Sequence, residues 1–292
     1  MKERVITGIG IGVVGIPIVI LSGYIVYPIF LGLMALIGVW ELLRVFGLNK
    51  NYEIAIPAYL ISLLLPVFAH DSITPKEKQS GYLLIVATVM FAFLLYLVAV
   101  CVIKKEQQLS KLNDSGEDTR IIGFNDVAAV FTSIAYVTVS FTAMSLTRYM
   151  NNGGKIFGLV FIVAWMCDTF AYFTGRLFGK HKLAPNLSPK KTIEGSIGGI
   201  LFAVIGCIVY GLIIEAATDL SANFVVLGLV GFILSIVSQI GDIWASLIKR
   251  EHGIKDYSRM LPGHGGVMDR FDSILAISTV LMAICMVFPP FA

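Results

Sequence analysis

Between Ser246 and Asp272 the chain reads SLIKREHGIKDYSRMLPGHGGVMDRFD, a concentration of charge in an otherwise apolar sequence. Lys249, Arg250, Lys255 and Arg270 carry the ammonium and guanidinium groups that hold phosphate oxygens, while Asp256, Asp269 and Asp272 carry oxygens suited to a hard cation. His264 sits among Gly263, Gly265 and Gly266, which permit unusual backbone angles and close ligand approach; it reads as a turn residue in contact with phosphate. Upstream, Gln239, Asp242, Ser246 and Lys249 recur at helical spacing and form one polar stripe on an apolar helix.

A second helix carries Asp168, Tyr172 and Arg176 on one face. Asp168 and Asp242 each lie roughly 12 Å below the basic residue that closes their helix, so the two carboxylates can meet in one cavity. Placing a charge at that depth costs several kcal/mol, which marks both as functional. Asp242 and Asp269 are the first candidate metal ligands, with Asp168 and Asp272 as further ones. Ser188-Pro189-Lys190-Lys191-Thr192 precedes another apolar helix. There Thr192 is a candidate N-cap, and the two lysines beside free backbone N–H groups make an anion site, with Ser188, Ser246, Gly265 and Gly266 as further phosphate contacts. Gly195 and Gly199 form a GxxxG pair expected to pack helices. Glu41 and Asp126 read as paired or capping acids, and His70, His181 and His252 as surface residues.

The elements that must position these groups are membrane helices. Of the 292 residues 57% are hydrophobic and 14% charged, against about 45–50% and about 25% in a soluble domain. The net charge of +3 is too small for a nucleic-acid surface. Cys101, Cys167, Cys207 and Cys285 are isolated within apolar runs and read as core residues, not as a disulfide or metal set.

The hydropathy pattern predicts an all-α, polytopic bundle of about nine spans, near residues 5–22, 25–43, 54–70, 81–103, 124–147, 156–177, 194–217, 222–248 and 271–291. The first two form a retained hairpin broken near Ser22-Gly23, since no small-x-small cleavage site interrupts the uncharged run from Val5 to Trp40. With a cytoplasmic N-terminus, only Lys76, Lys78, Arg148 and Lys155 of the 22 Lys and Arg residues fall outside, which is the asymmetry expected of a correct count. The chain is expected to form a single transmembrane domain, 1–292. Its N-terminal helices cover about 5–147 and its catalytic helices about 156–291, with the polar stretch 109–120 as a solvated connection.

The stretch from Ser246-Leu-Ile-Lys249-Arg250 through Lys255-Asp256 to Leu261-Pro-Gly-His-Gly-Gly-Val-Met-Asp-Arg-Phe-Asp272 resembles the signature of phosphatidate cytidylyltransferases, the CDP-diacylglycerol synthases. The resemblance extends to Gln239-Ile-Gly-Asp242 and to SPKKTIEG at 188–195. It implies transfer of the cytidylyl group of CTP to phosphatidate, giving CDP-diacylglycerol and pyrophosphate, with Mg²⁺ at Asp242 and Asp269. It also implies a homodimer, and a second cation beside the Mg²⁺, either another metal or K⁺. The expected setting is the lipid bilayer, the cell (inner) membrane if the source is bacterial, with the active site facing the cytoplasm.

Two other readings compete. A cytidylyltransferase acting on an isoprenoid-ether lipid phosphate would share the catalytic motif. An ion-coupled transporter would also carry intramembrane Asp residues, but it predicts repeated halves or paired broken helices, which the sequence does not display. The Asp-Gly-x-x-Ala-Arg motif of alcohol phosphatidyltransferases is absent.

Overall fold

The computed structural model describes residues 13, 15, 17–70, 79–115 and 122–292. They form α1 (Val26–Val45), α2 (Tyr52–Phe68), α3 (Gln79–Ser115), α4 (Phe124–Tyr149), α5 (Gly153–Phe178), β1 (Lys182–Ala184), β2 (Ser188–Thr192), α6 (Ile193–Ala217), α7 (Phe224–Glu251) and α8 (Met268–Val287). Seven of these helices are long and apolar enough to cross a membrane. The protein is therefore an all-α, multi-pass membrane protein, with one small two-stranded sheet among the described residues.

The eight described helices fall on the second to ninth expected spans. Most of the first, 5–22, lies outside the described residues, but residues 21–25 form the turn expected near Ser22-Gly23, with Tyr24 N–H donating to Leu21 O at 2.9 Å. The helix α2 is 17 residues long and contains Pro57 and Pro66. The polar connection expected at 109–120 is helical as far as Ser115, because α3 continues through Gln107 and Lys111, residues of high helix propensity; 116–121 lie outside the described residues.

The chain divides into two compact units, one of residues 28–142 and one of residues 1–27 with 143–292. In the first, Ser62 and Thr138 share a 2.8 Å hydrogen bond between their hydroxyls, and Tyr96 O–H donates to Glu53 O at 2.7 Å. Lys104 pairs with Glu53 at 3.1 Å. Glu41 is fully buried in α1, and Asp126 accepts from Gly123 N–H at 2.9 Å at the start of α4, a capping role. His70, expected at the surface, is only 6% exposed: its N–H continues the last turn of α2 to Val67 O, so it sits at the packed helix end next to fully buried Ala69.

The second unit holds the charged motifs. Its helices approach closely through glycine. A Cβ on Gly195 would stand 2.7 Å from Ala171 O, and one on Gly199 would stand 2.9 Å from Cys167 O, so the GxxxG pair is the packing surface of α6 on α5. Phe170 and Phe202 stack at 3.8 Å across the same pair of helices. Gly231 lets α7 approach α6 in the same way, with Val204 Cα 2.8 Å from where its Cβ would be. This tight helix contact brings Asp168 on α5 and the polar stripe of α7 to one side of α6.

Candidate active site

The last turn of α7 ends in a glycine cap. His252 follows the helix, Gly253 takes φ +65°, and Ile254 N–H returns to Lys249 O at 2.9 Å. The loop then folds back under the helix, because Tyr257 is 1% exposed and its hydroxyl donates to Ala245 O at 2.9 Å. Leu261-Pro262-Gly263-His264 makes a tight turn: His264 N–H donates to Leu261 O at 2.8 Å and Gly263 has φ +71°, the pattern of a Pro-Gly type II turn. Gly265, at φ +86°, leaves room for Asp269, whose Oδ2 would lie 2.8 Å from a Cβ there.

Asp269 organises this loop. Its Oδ2 accepts from Tyr257 N–H at 2.8 Å and from Gly266 N–H at 3.0 Å, while Oδ1 takes Lys249 Nζ at 2.8 Å. Its side chain is 4% exposed. A carboxylate has about four lone-pair sites, so three are used and one is left for a cation. Lys249 also stands 5.3 Å over the Tyr257 ring. Arg270 donates through Nε to His264 O at 2.7 Å, fixing the turn from the helix side. His264 Nδ1 is buried and meets no hydrogen-bond partner among the described residues, a feature that a bound phosphate would satisfy.

Deeper in the unit, Asp168 of α5, Asp242 of α7 and Asp272 of α8 lie close enough to repel one another electrostatically. Lys191 and Lys249 are the cations that offset this repulsion: Lys191 Nζ is 2.5 Å from Asp242 Oδ2 and also acts on Asp168, while Lys249 acts on Asp272. Asp272 further accepts from Ser273 N–H at 2.8 Å. Below Asp242, Gln239 Nε2 reaches Ser196 O at 3.4 Å and Cys167 Sγ at 3.6 Å, so the polar stripe of α7 faces α5 and α6. Among the described residues no three Asp, Glu, His or Cys side chains form a closed cage for an ion. Mg²⁺ is usually held by one or two carboxylates with water and substrate phosphates, and a cluster of mutually repelling carboxylates suits it.

Lys191 comes from the hairpin. The strands β1 and β2 pair antiparallel, Lys182 opposite Thr192 and Ala184 opposite Ser188, so the segment between α5 and α6 is an ordered two-stranded finger. Thr192 ends β2 and caps α6 by accepting Gly195 N–H at 3.1 Å, as expected from its position. At the base, Glu194 accepts from Lys180 N–H at 3.1 Å, and its carboxylate lies 2.7 Å from His181 Nδ1. Arg250 Nε reaches Leu187 O at 3.5 Å near the hairpin tip. Ser188 and Ser246 are half-buried, and Lys190, Lys255, Asp256, Arg250 and Arg270 are exposed.

The expected residues thus fall into two groups joined by Lys249. Asp242, Asp272, Asp168 and Lys191 form the deep acidic centre, while Asp269, His264, Arg270, Gly265 and Gly266 form the loop above it. Lys255 and Asp256 are exposed in that loop and take no part in the deep centre. Sequence reasoning passed over Tyr257 and the His181–Glu194 clasp. An aromatic residue directly after Lys255-Asp256 in a polar loop was the available signal for Tyr257; the clasp depends on hairpin pairing and had none.

A helical, multi-pass membrane protein with an acidic, lysine-countered centre and a glycine-rich turn around one histidine is the class that fold and site define. The family comparison makes it particular: the profile of the cytidylyltransferase family matches residues 2–288, and the chain belongs to that family. It is 34% identical over 281 residues to a phosphatidate cytidylyltransferase of Staphylococcus epidermidis, covering 96% of this chain and 97% of that protein. Phosphatidate cytidylyltransferases of Staphylococcus haemolyticus and Staphylococcus aureus are each 35% identical over 286 residues, again covering 96% of this chain and 97% of theirs.

Proposed function

We propose that this chain transfers the cytidylyl group of CTP to phosphatidate, forming CDP-diacylglycerol with release of pyrophosphate, in a Mg²⁺-dependent reaction. The observation that carries this reading is the pair of lysine–carboxylate contacts, Lys191 to Asp242 at 2.5 Å and Lys249 to Asp269 at 2.8 Å, with Asp168 and Asp272 within electrostatic range, in a chain similar along nearly its whole length to proteins named for that activity.

The attacking group is a phosphate oxygen, ionised at neutral pH, so no side chain need remove a proton from it. Catalysis rests on alignment and charge. Arg250, Lys255 and Arg270 are exposed around the loop and hold the triphosphate, with Lys190 beside them on the hairpin. His264 Nδ1 supplies a directed contact to a phosphate oxygen. Asp242 and the remaining lone pair of Asp269 would hold the metal, with Asp168 and Asp272 nearby for a second cation such as K⁺. When bound, Mg²⁺ supplies charge stabilisation at the phosphoryl oxygens.

The basic residues are distributed so that this site faces the cytoplasm, where CTP is available, and the protein resides in the cell membrane as a homodimer. Support for the dimer is the resemblance described above. Purified protein incubated with CTP labelled at the α-phosphate, Mg²⁺ and phosphatidate should carry label into the organic phase. Labelling only with an isoprenoid-ether lipid phosphate would move the substrate assignment, and labelling with neither lipid would overturn the reading.

A further inference from the structure

The ammonium of Lys191 lies 2.5 Å from Asp242 Oδ2, and the two side chains are 25% and 30% exposed. The same ammonium acts on Asp168, which in turn repels Asp242 and Asp272. A single lysine thus neutralises the carboxylate best placed to take a metal, at the centre of an acidic cluster. A Mg²⁺–oxygen bond is about 2.0–2.1 Å long, so a dication on Asp242 would stand only a few ångströms from the Lys191 ammonium, and the two like charges repel. Lys191 is the penultimate residue of β2, on a hairpin whose neighbouring Lys190 and Ser188 point the segment's chemistry toward phosphate.

We infer that Lys191 is a place-holder and coupling residue: it occupies the metal's position on Asp242 until metal and triphosphate arrive together, and it is then handed to the phosphate. This rests on the cytidylyltransferase reading. Metal alone binds against the Lys191 charge, or pushes it away from its closest carboxylate. Metal bound with nucleotide provides the displaced ammonium with phosphate oxygens. Each ligand therefore promotes binding of the other, and thermodynamic linkage makes the effect reciprocal. The arrangement also keeps the site from holding a divalent ion with no nucleotide to react.

The test is Mn²⁺ affinity of the purified full-length protein, read by electron paramagnetic resonance, with and without the non-hydrolysable α,β-methylene analogue of CTP. In the wild type, the analogue should tighten Mn²⁺ binding by on the order of tenfold, within the about 5- to 150-fold range of such couplings. Lys191→Met should bind Mn²⁺ alone roughly tenfold more tightly than wild type, and the analogue should add little. Lys191→Gln, a second neutral variant, should behave the same way, whereas Lys191→Arg should keep the weak metal-alone affinity. Unchanged or weaker Mn²⁺ binding in both neutral variants overturns the inference. Label transfer by the wild type is measured in parallel: if it occurs while Mn²⁺ affinity ignores Lys191, only the inference falls, and if it is absent with every lipid, the functional reading falls as well.

Discussion

Lys249 Nζ lies 2.8 Å from Asp269 Oδ1, tying the end of α7 to the start of α8 across 20 residues of chain. The two side chains are 14% and 4% exposed, so this is a buried pair that organises the loop between the helices. Removing one partner of such a pair leaves an uncompensated charge, at a cost of about 3–5 kcal/mol. Lys249→Met should therefore lower the thermal midpoint in detergent strongly, and the double variant Lys249→Met/Asp269→Asn should recover part of the loss. Additive losses in the double variant would show that the pair is not coupled.

Asp242→Asn tests the deep centre without touching the loop. On the proposed role of Asp242 as a metal ligand, its loss would remove several kcal/mol of transition-state stabilisation, so turnover should fall by at least about 10²-fold while the melting midpoint stays near wild type. A near-normal rate of label transfer to phosphatidate would remove Asp242 from the metal site.

Tyr257→Phe removes the hydroxyl bonded to Ala245 O but keeps the ring beneath Lys249. The expected cost is about 0.5–1.5 kcal/mol. Tyr257→Ala also empties a fully buried position and should cost about 3–5 kcal/mol, with loss of CTP binding as the loop loosens. Urea titrations of the two variants with CTP affinity measured alongside check both expectations, and equal losses would show that the ring contributes no packing.

Gly265→Ala combines a strained φ of +86° with a Cβ 2.8 Å from Asp269 Oδ2. It should destabilise by more than about 1 kcal/mol and reduce turnover, because the turn and Asp269 shift together. Gly228→Ala in α7 meets nothing within 4 Å and is the matched control, expected to be neutral or slightly stabilising. Similar behaviour of the two in melting and label-transfer assays would remove the steric argument.

Thr192→Ala deletes the oxygen that accepts Gly195 N–H at 3.1 Å. The loss should be about 1 kcal/mol, and Thr192→Ser should restore it. Failure of serine to restore the melting midpoint would assign the effect to the Thr192 methyl group, which packs near Gly179.

The membrane class and the order of the helices were legible in the sequence, as were the residues of the candidate site, because each rests on local information. Hydropathy over about 20 residues fixes a span, helical spacing puts Gln239, Asp242, Ser246 and Lys249 on one face, and a Thr before an apolar run fixes a cap. Other features depend on pairings between distant segments. The hairpin at 182–192 requires Lys182 to meet Thr192, and the burial of His70 depends on packing at the end of α2. Asp269 reads in the sequence as a metal ligand alongside Asp242, and folding adds a second role that no local pattern shows, three donors that make it the organiser of the loop.

The sequence by itself determined which groups are available for the chemistry: carboxylates, lysines, arginines and a glycine-rich turn around one histidine. Only the tertiary structure decided their partners. Lys191 and Asp242 read as separate contacts to phosphate and metal, and they stand 2.5 Å apart because glycine-mediated packing of α5, α6 and α7 sets the hairpin over the polar stripe. Charge type is a property of the residue, but which opposite charge it faces depends on helix approach distances that no local pattern encodes.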